Sequence, residues 1–198
     1  MPNWCYTTYT VVGEEKEIEA LFGVMEKLEH MKEPLIPNGF GPNWLGCLVN
    51  SLGGDWEKVR CRGSWMNLNI NGDTMYFDTE SAWAEPYEVV DFLKEKFPSL
   101  EFYYSAEEPG GRYYVTNDST GAYFPERYYF ATPLHDDERY YNQDDAEEFI
   151  KDVGNYITKD LCGMTPDEIY DAVDKFNGDK EWEEYIEIFS NECCQIRK

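Results

Sequence analysis

Bulky and small side chains alternate from Asn3 to Val12, with threonine and valine among them, and Gly13 ends the run. That pattern predicts a strand. The period then changes. Ile18, Leu21, Phe22, Met25 and Leu28 recur at helical spacing behind an acidic first turn, so a helix is expected that stops before Pro34. Residues 34–64 are rich in Pro, Gly and Asn. They hold one short helix candidate, Asn43 to Leu52, which Gly53-Gly54 closes. Trp65, Asn67 and Asn69 next alternate with Met66, Leu68 and Ile70, and Asn71-Gly72 is a favoured two-residue turn. The returning strand runs from Thr74 to Thr79. A second amphipathic helix carries Val89, Val90, Phe92 and Leu93, with Pro86 in its first turn and Pro98 beyond its end. Residues 100–108 read as a strand, and residues 109–133 as a further hairpin turning at Asn117 to Gly121.

The order strand, helix, strand, strand, helix, strand is the split βαββαβ, or ferredoxin-like, motif. The expected fold class is α+β: an antiparallel sheet with two helices on one face, plus a C-terminal helical extension. The fold name describes topology only, since an iron–sulfur cluster needs clustered cysteines. In the tail, Ala146, Phe149, Ile150, Val153 and Ile157 share one helical face. Thr165, Pro166 and Glu168 form a capping box before Ile169, Tyr170, Val173 and Phe176. Trp182, Tyr185, Ile186 and Phe189 mark a last expected helix. The organisation predicted is a ferredoxin-like domain over 1–130 and an acidic helical extension over 131–198 packed on it.

Charge narrows the function classes. Of 198 residues, 40 are acidic and 17 basic, a formal net charge of -23. Direct nucleic-acid binding needs a Lys/Arg face and is not expected, nor is an anionic membrane surface. A basic protein partner fits, and so does a plain solubility role. Aromatic residues are plentiful, with 16 Tyr, 11 Phe and 6 Trp, so a packed core is expected. None of the six cysteines has C-x-x-C spacing. The N-terminus lacks a signal-peptide pattern, and no apolar run approaches membrane length. A cytoplasmic setting with reduced thiols, and no cofactor, is expected.

Four local motifs occur in order: P-N-W-C at residues 2–5, N-S-L-G-G-D-W at 50–56, Y-F-D-T-E-S-A-W-A-E-P at 76–86, and F-P-S-L followed by Y-Y-S-A-E-E-P-G-G up to residue 111. Together they resemble the YubB-like ferredoxin domains of bacterial phages and plasmids, over residues 2–116. The resemblance implies a ferredoxin-like fold and a mobile-element setting, and no activity. Gly54-Asp55 stand where the family has Thr-Lys, so a basic side chain is missing. The junction before Trp83 is two residues longer, and Glu85 replaces the first of two prolines.

Candidate chemistry is sparse. Trp4, Trp44, Trp56 and Trp83 recur beside turns, where they either line a binding pocket or plug the ends of the sheet. Glu107, Glu108 and Arg112 surround a Pro-Gly turn. A carboxylate pair there does acid/base work only if one group is desolvated, and adjacent strand residues point to opposite faces. His30 and His135 are the only histidines, which leaves nucleophilic triads and multi-histidine metal sites hard to build. The function expected is a non-enzymatic protein-interaction module, acidic enough to bind a basic protein or to mimic nucleic acid. The alternative is a small hydrolase or transferase using Glu107/Glu108. Homodimerisation through exposed sheets or edge strands is a third arrangement. The binding residues named from sequence are Trp4, Trp56, Trp83, Glu107, Glu108 and Arg112.

Overall fold

A computed structural model describes residues 3–108, 110, 113–178 and 180–193. By internal contact the chain divides into two units, Met1–Asn117 and Asp118–Lys198.

In the first unit the alternating N-terminal run is strand β1 (Trp4–Val12). Helix α1 (Glu15–Glu29) follows and buries Ile18, Leu21, Met25 and Leu28. Helix α2 (Leu45–Ser51) comes next, then β2 (Gly63–Asn71), β3 (Thr74–Ala82), α3 (Tyr87–Lys96), β4 (Glu101–Glu108) and β5 (Tyr113–Thr116). The strands form an antiparallel sheet in the order β2-β3-β1-β4-β5. Tyr9, Val11, Trp65, Met75, Phe77 and Phe102 from one face of that sheet share a core with residues of all three helices.

β2 holds a phase change that alternation does not predict. The register with β3 slips between Met66 and Asn69, and Asn67 sits at φ 54, the left-handed region. This bulge inserts an extra residue, so the side-chain phase reverses. Trp65 faces the core before it, and Leu68 and Ile70 pack on the core after it. The tight turn is also one residue later than expected: Asn71 pairs with Thr74, leaving Gly72 (φ 63) and Asp73 as the loop.

The second unit has β6 (Glu126–Ala131), β7 (Glu138–Asn142), α4 (Ala146–Ile157), α5 (Pro166–Asn177) and β8 (Glu187–Ser190). Its strands form an antiparallel sheet in the order β7-β6-β8. Phe130, Ile186 and Ile188 share a core with Phe149 and Val153 of α4 and with Ile169 and Val173 of α5. Thr165 caps α5 as its motif requires. The Glu168 amide donates to the Thr165 hydroxyl, and the Thr165 amide donates to the Glu168 carboxylate.

The α+β class holds, but a βαββαβ domain with two helices and a helical tail does not. α2 packs between α1 and α3, because its Leu45, Cys47, Leu48 and Val49 are all buried. The hairpin expected over 109–133 is absent: β5 pairs with β4, whereas β6 pairs with β7 and β8. The tail carries a sheet of its own. The last expected helix is instead a short 3-10 turn at Trp182–Glu184 followed by β8. Asn177 clamps the Ile186 backbone through both amide atoms, at 3.0 and 3.1 Å, and Ile186 and Ile188 are then buried with strand period. Among the described residues, no helix is long and apolar enough to cross a membrane.

Candidate functional site

The junction from β3 to α3 is pinned on both sides. The Ala82 amide donates to the Arg62 carbonyl and the Trp83 amide to the Asn3 carbonyl, each at 3.0 Å, while the Ser81 hydroxyl donates to the Ala84 carbonyl at 2.7 Å. Between these bonds Trp83 is forced to φ 74 and its ring is 52% exposed. It has no ring contact with Trp4 or Trp56 among the described residues. Left-handed backbone costs a non-glycine residue about 1–2 kcal/mol, and glycine's extra chain entropy is of similar size. Trp83→Gly is therefore expected to leave stability within about 1 kcal/mol of the parent in urea unfolding. A loss above about 2 kcal/mol would mean that the ring is packed.

What seals this end of the sheet is Glu85. From the junction it reaches past β1 to two tyrosines on the far strands. Tyr104 donates to its Oε1 at 3.3 Å and Tyr113 donates to its Oε2. Cys5 is fully buried on β1. Burial pushes its thiol up to about 11, the Thr7 hydroxyl bond opposes the rise, and Glu85, Glu108 and Glu107 add to it. Such a thiol is protonated at neutral pH and is no nucleophile. The Tyr9 phenol, fully buried, is raised well above its ordinary range by desolvation and then by Glu85. Among the described residues, its hydroxyl and the Thr79 hydroxyl have no partner.

Trp4 and Trp56 belong to a different group. Trp4 meets Phe40 edge-on at 6.3 Å, Phe40 stacks on Trp44 at 6.4 Å, and Trp44 meets Trp56 edge-on at 5.1 Å. Phe40, which the sequence reading passed over, is the link. Glu107 and Glu108 stand on opposite faces, as alternation requires. Glu108 is 6% exposed and accepts the Gly110 amide at 2.8 Å. Glu107 is exposed on the outer face, and partial desolvation pushes its carboxyl up. The two do not form a working pair. Arg112 lies outside the described residues. Among the described residues, no group of three His, Cys, Asp or Glu side chains is arranged to hold a metal ion.

The outer face, away from the helices, has a distinctive composition. No Lys or Arg occurs in any of β1 to β5. Register places Glu80, Tyr6, Glu107 and Tyr114 in one row across four strands. Asp78, Thr8 and Ser105 form the next row, and Tyr76, Thr10 and Tyr103 the one after. Tyr6 is 48% exposed and Tyr76 38%. The Tyr6 hydroxyl donates to Glu80 at 3.1 Å, which raises the phenol's pKa. In the second unit, a groove of about 750 Å³ is lined by Ile150, Lys151, Lys159, Leu161 and Cys162 among others. Among the described residues, the Cys162 thiol in it has no hydrogen bond to a base.

Fold and side chains together define an α+β protein with an acidic, tyrosine-bearing sheet face. No family model matches the chain, and no curated protein or solved structure matches it either. The YubB-like resemblance thus rests on the sequence motifs alone.

Proposed function

We propose that this chain is a non-enzymatic interaction module that binds a basic protein through its acidic surface. The observation that carries the reading is the five-stranded sheet without a single Lys or Arg, whose outer face sets Asp78, Glu80, Glu101 and Glu107 around exposed tyrosines. Carboxylates and aromatic rings side by side attract cations by charge and by ring quadrupole. A sharper form is mimicry of nucleic-acid charge, with a nucleic-acid-binding protein as the partner. A cytoplasmic setting belongs to the reading, supported by the free thiols Cys5, Cys47, Cys61 and Cys162.

Calorimetric titration with polylysine of defined length tests the reading. Affinity is expected to fall about tenfold or more between 50 and 300 mM salt, since exposed charge pairs are screened. No binding at the lower salt, or binding indifferent to salt, would sink it. In the mimicry form a DNA oligonucleotide competes for the partner. The Glu107/Glu108 hydrolase reading gains nothing from a geometry that puts the two carboxylates on opposite faces.

A further inference from the structure

Resting on the reading that a basic protein is the partner, we propose that the row Glu80–Tyr6–Glu107 receives an arginine side chain of that partner. The guanidinium would lie on the Tyr6 ring, with a carboxylate to either side. Three observations meet here. Glu80 and Glu107 are the direct cross-strand neighbours of Tyr6, one on each flank. Directly opposed side chains stand about 5 Å apart at Cβ, so the carboxylates bracket the ring at about twice that separation. Tyr6 is nearly half exposed, and its hydroxyl is tied to Glu80, which fixes the ring's orientation. Among the described residues, neither carboxylate has an ion-pair partner.

Glu107 carries a cost in the free protein. Its carboxyl is partly desolvated, and among the described residues no hydrogen bond or cation offsets that. A cation bound beside it favours the charged form and offsets that penalty. Arginine fits better than lysine. Its guanidinium is planar and weakly hydrated, stacks on an aromatic face, and presents donors along its edges to carboxylates on two sides. An ammonium is compact and strongly hydrated, so it engages one carboxylate and gains little from the ring.

Fluorescence anisotropy with the full chain and two labelled nonapeptides tests the assignment, one alternating arginine and serine, the other lysine and serine. The arginine peptide is expected to bind about three times more tightly or better, an advantage on the scale of one exposed cation–π contact. The double variant E80Q/E107Q is expected to weaken the arginine peptide about tenfold. E15Q/E19Q removes the same charge from the exposed side of α1 and is expected to change affinity less than about twofold. Y6F keeps the arginine preference and Y6A abolishes it, which decides the matter even if the double variant fails to fold. Equal affinity for the two peptides, or equal effects of the two double variants, overturns the assignment and leaves the basic-partner reading standing. Binding of neither peptide overturns both.

Discussion

Asp118→Ala is expected to destabilise the second unit by about 3 kcal/mol, the scale of a buried carboxylate that loses several amide donors. Asp118 is fully buried at the head of the segment leading to β6. Its Oδ1 accepts the Thr120 and Gly121 amides and the Thr120 hydroxyl, at 3.2, 3.1 and 2.9 Å. Its Oδ2 accepts the Tyr123 and Phe124 amides at 2.7 and 2.9 Å. One side chain thus organises the loop. Arg127, also buried, closes it from the other side by donating to the carbonyls of Asp118, Phe124 and Glu126. With alanine, the Thr120, Tyr123 and Phe124 amides lose their acceptor, Gly121 keeps only the Asp118 carbonyl at 3.3 Å, and Arg127 keeps a guanidinium in a loop that no longer holds its shape. Hydrogen exchange at Thr120, Gly121, Tyr123 and Phe124 should speed up before the rest of the unit does; unchanged exchange would contradict the argument. The pH dependence follows. Desolvation pushes this carboxyl up, but the amide and hydroxyl bonds outweigh it and hold the pKa below the ordinary 3.8. A carboxylate depressed by folding stabilises fully above its unfolded value and loses that contribution as pH falls through the folded one. The gap between parent and variant is therefore widest at neutral pH and narrows below about pH 4.

Trp65→Ala is expected to cost about 3–5 kcal/mol in the first unit, the usual range for removing a large core aromatic. Trp65 is completely buried on the helix-facing side of β2, opposite Thr79. Its backbone is held on both sides by Asn43, which accepts the Trp65 amide at 3.1 Å and donates its side chain to the Trp65 carbonyl at 2.5 Å. The backbone cannot retreat to fill the space, so the cavity persists. Among the described residues, the indole N–H has no acceptor. Trp65→Phe consequently loses volume but no hydrogen bond, and should cost about 1–2 kcal/mol. Urea unfolding of both variants decides the point: equal losses would show that the N–H is bonded after all.

Elements with a strong local period were legible in the sequence. β1, α1 and α3 bury the residues that their spacing selects, and the α5 cap was visible in Thr165 and Glu168. What failed depended on distant partners. The tyrosine-rich stretches at 113–116 and 126–131 look alike locally and read as one hairpin, yet they pair in different sheets. The signal that separates them is Asp118, whose carboxylate gathers four amides from the following six residues. The last expected helix failed because Trp182 and Tyr185, its supposed anchors, are both exposed, while Ile186 and Ile188 follow strand period. For the site, the sequence pointed to the right junction and the wrong side chain. Trp83 drew attention by its size, and Glu85 by standing where the YubB-like motif has a proline. Only the cross-sheet tyrosines, 19 and 28 residues away, reveal that Glu85 seals that end.

The bulge at Asn67 also bears on β2 as a template for edge-to-edge pairing. β2 is the rim strand of its sheet, where unpaired amides and carbonyls invite a second molecule to add a strand and begin a fibre. Here the bulge cuts that rim into Gly63–Met66 and Asn69–Asn71, each shorter than the five or six residues of an average strand, and Ser64 is already bridged to Trp44. Asparagines stand at 67, 69 and 71 along the second half. The same extra residue that turns Leu68 and Ile70 inward thus blunts the edge as a template for aggregation.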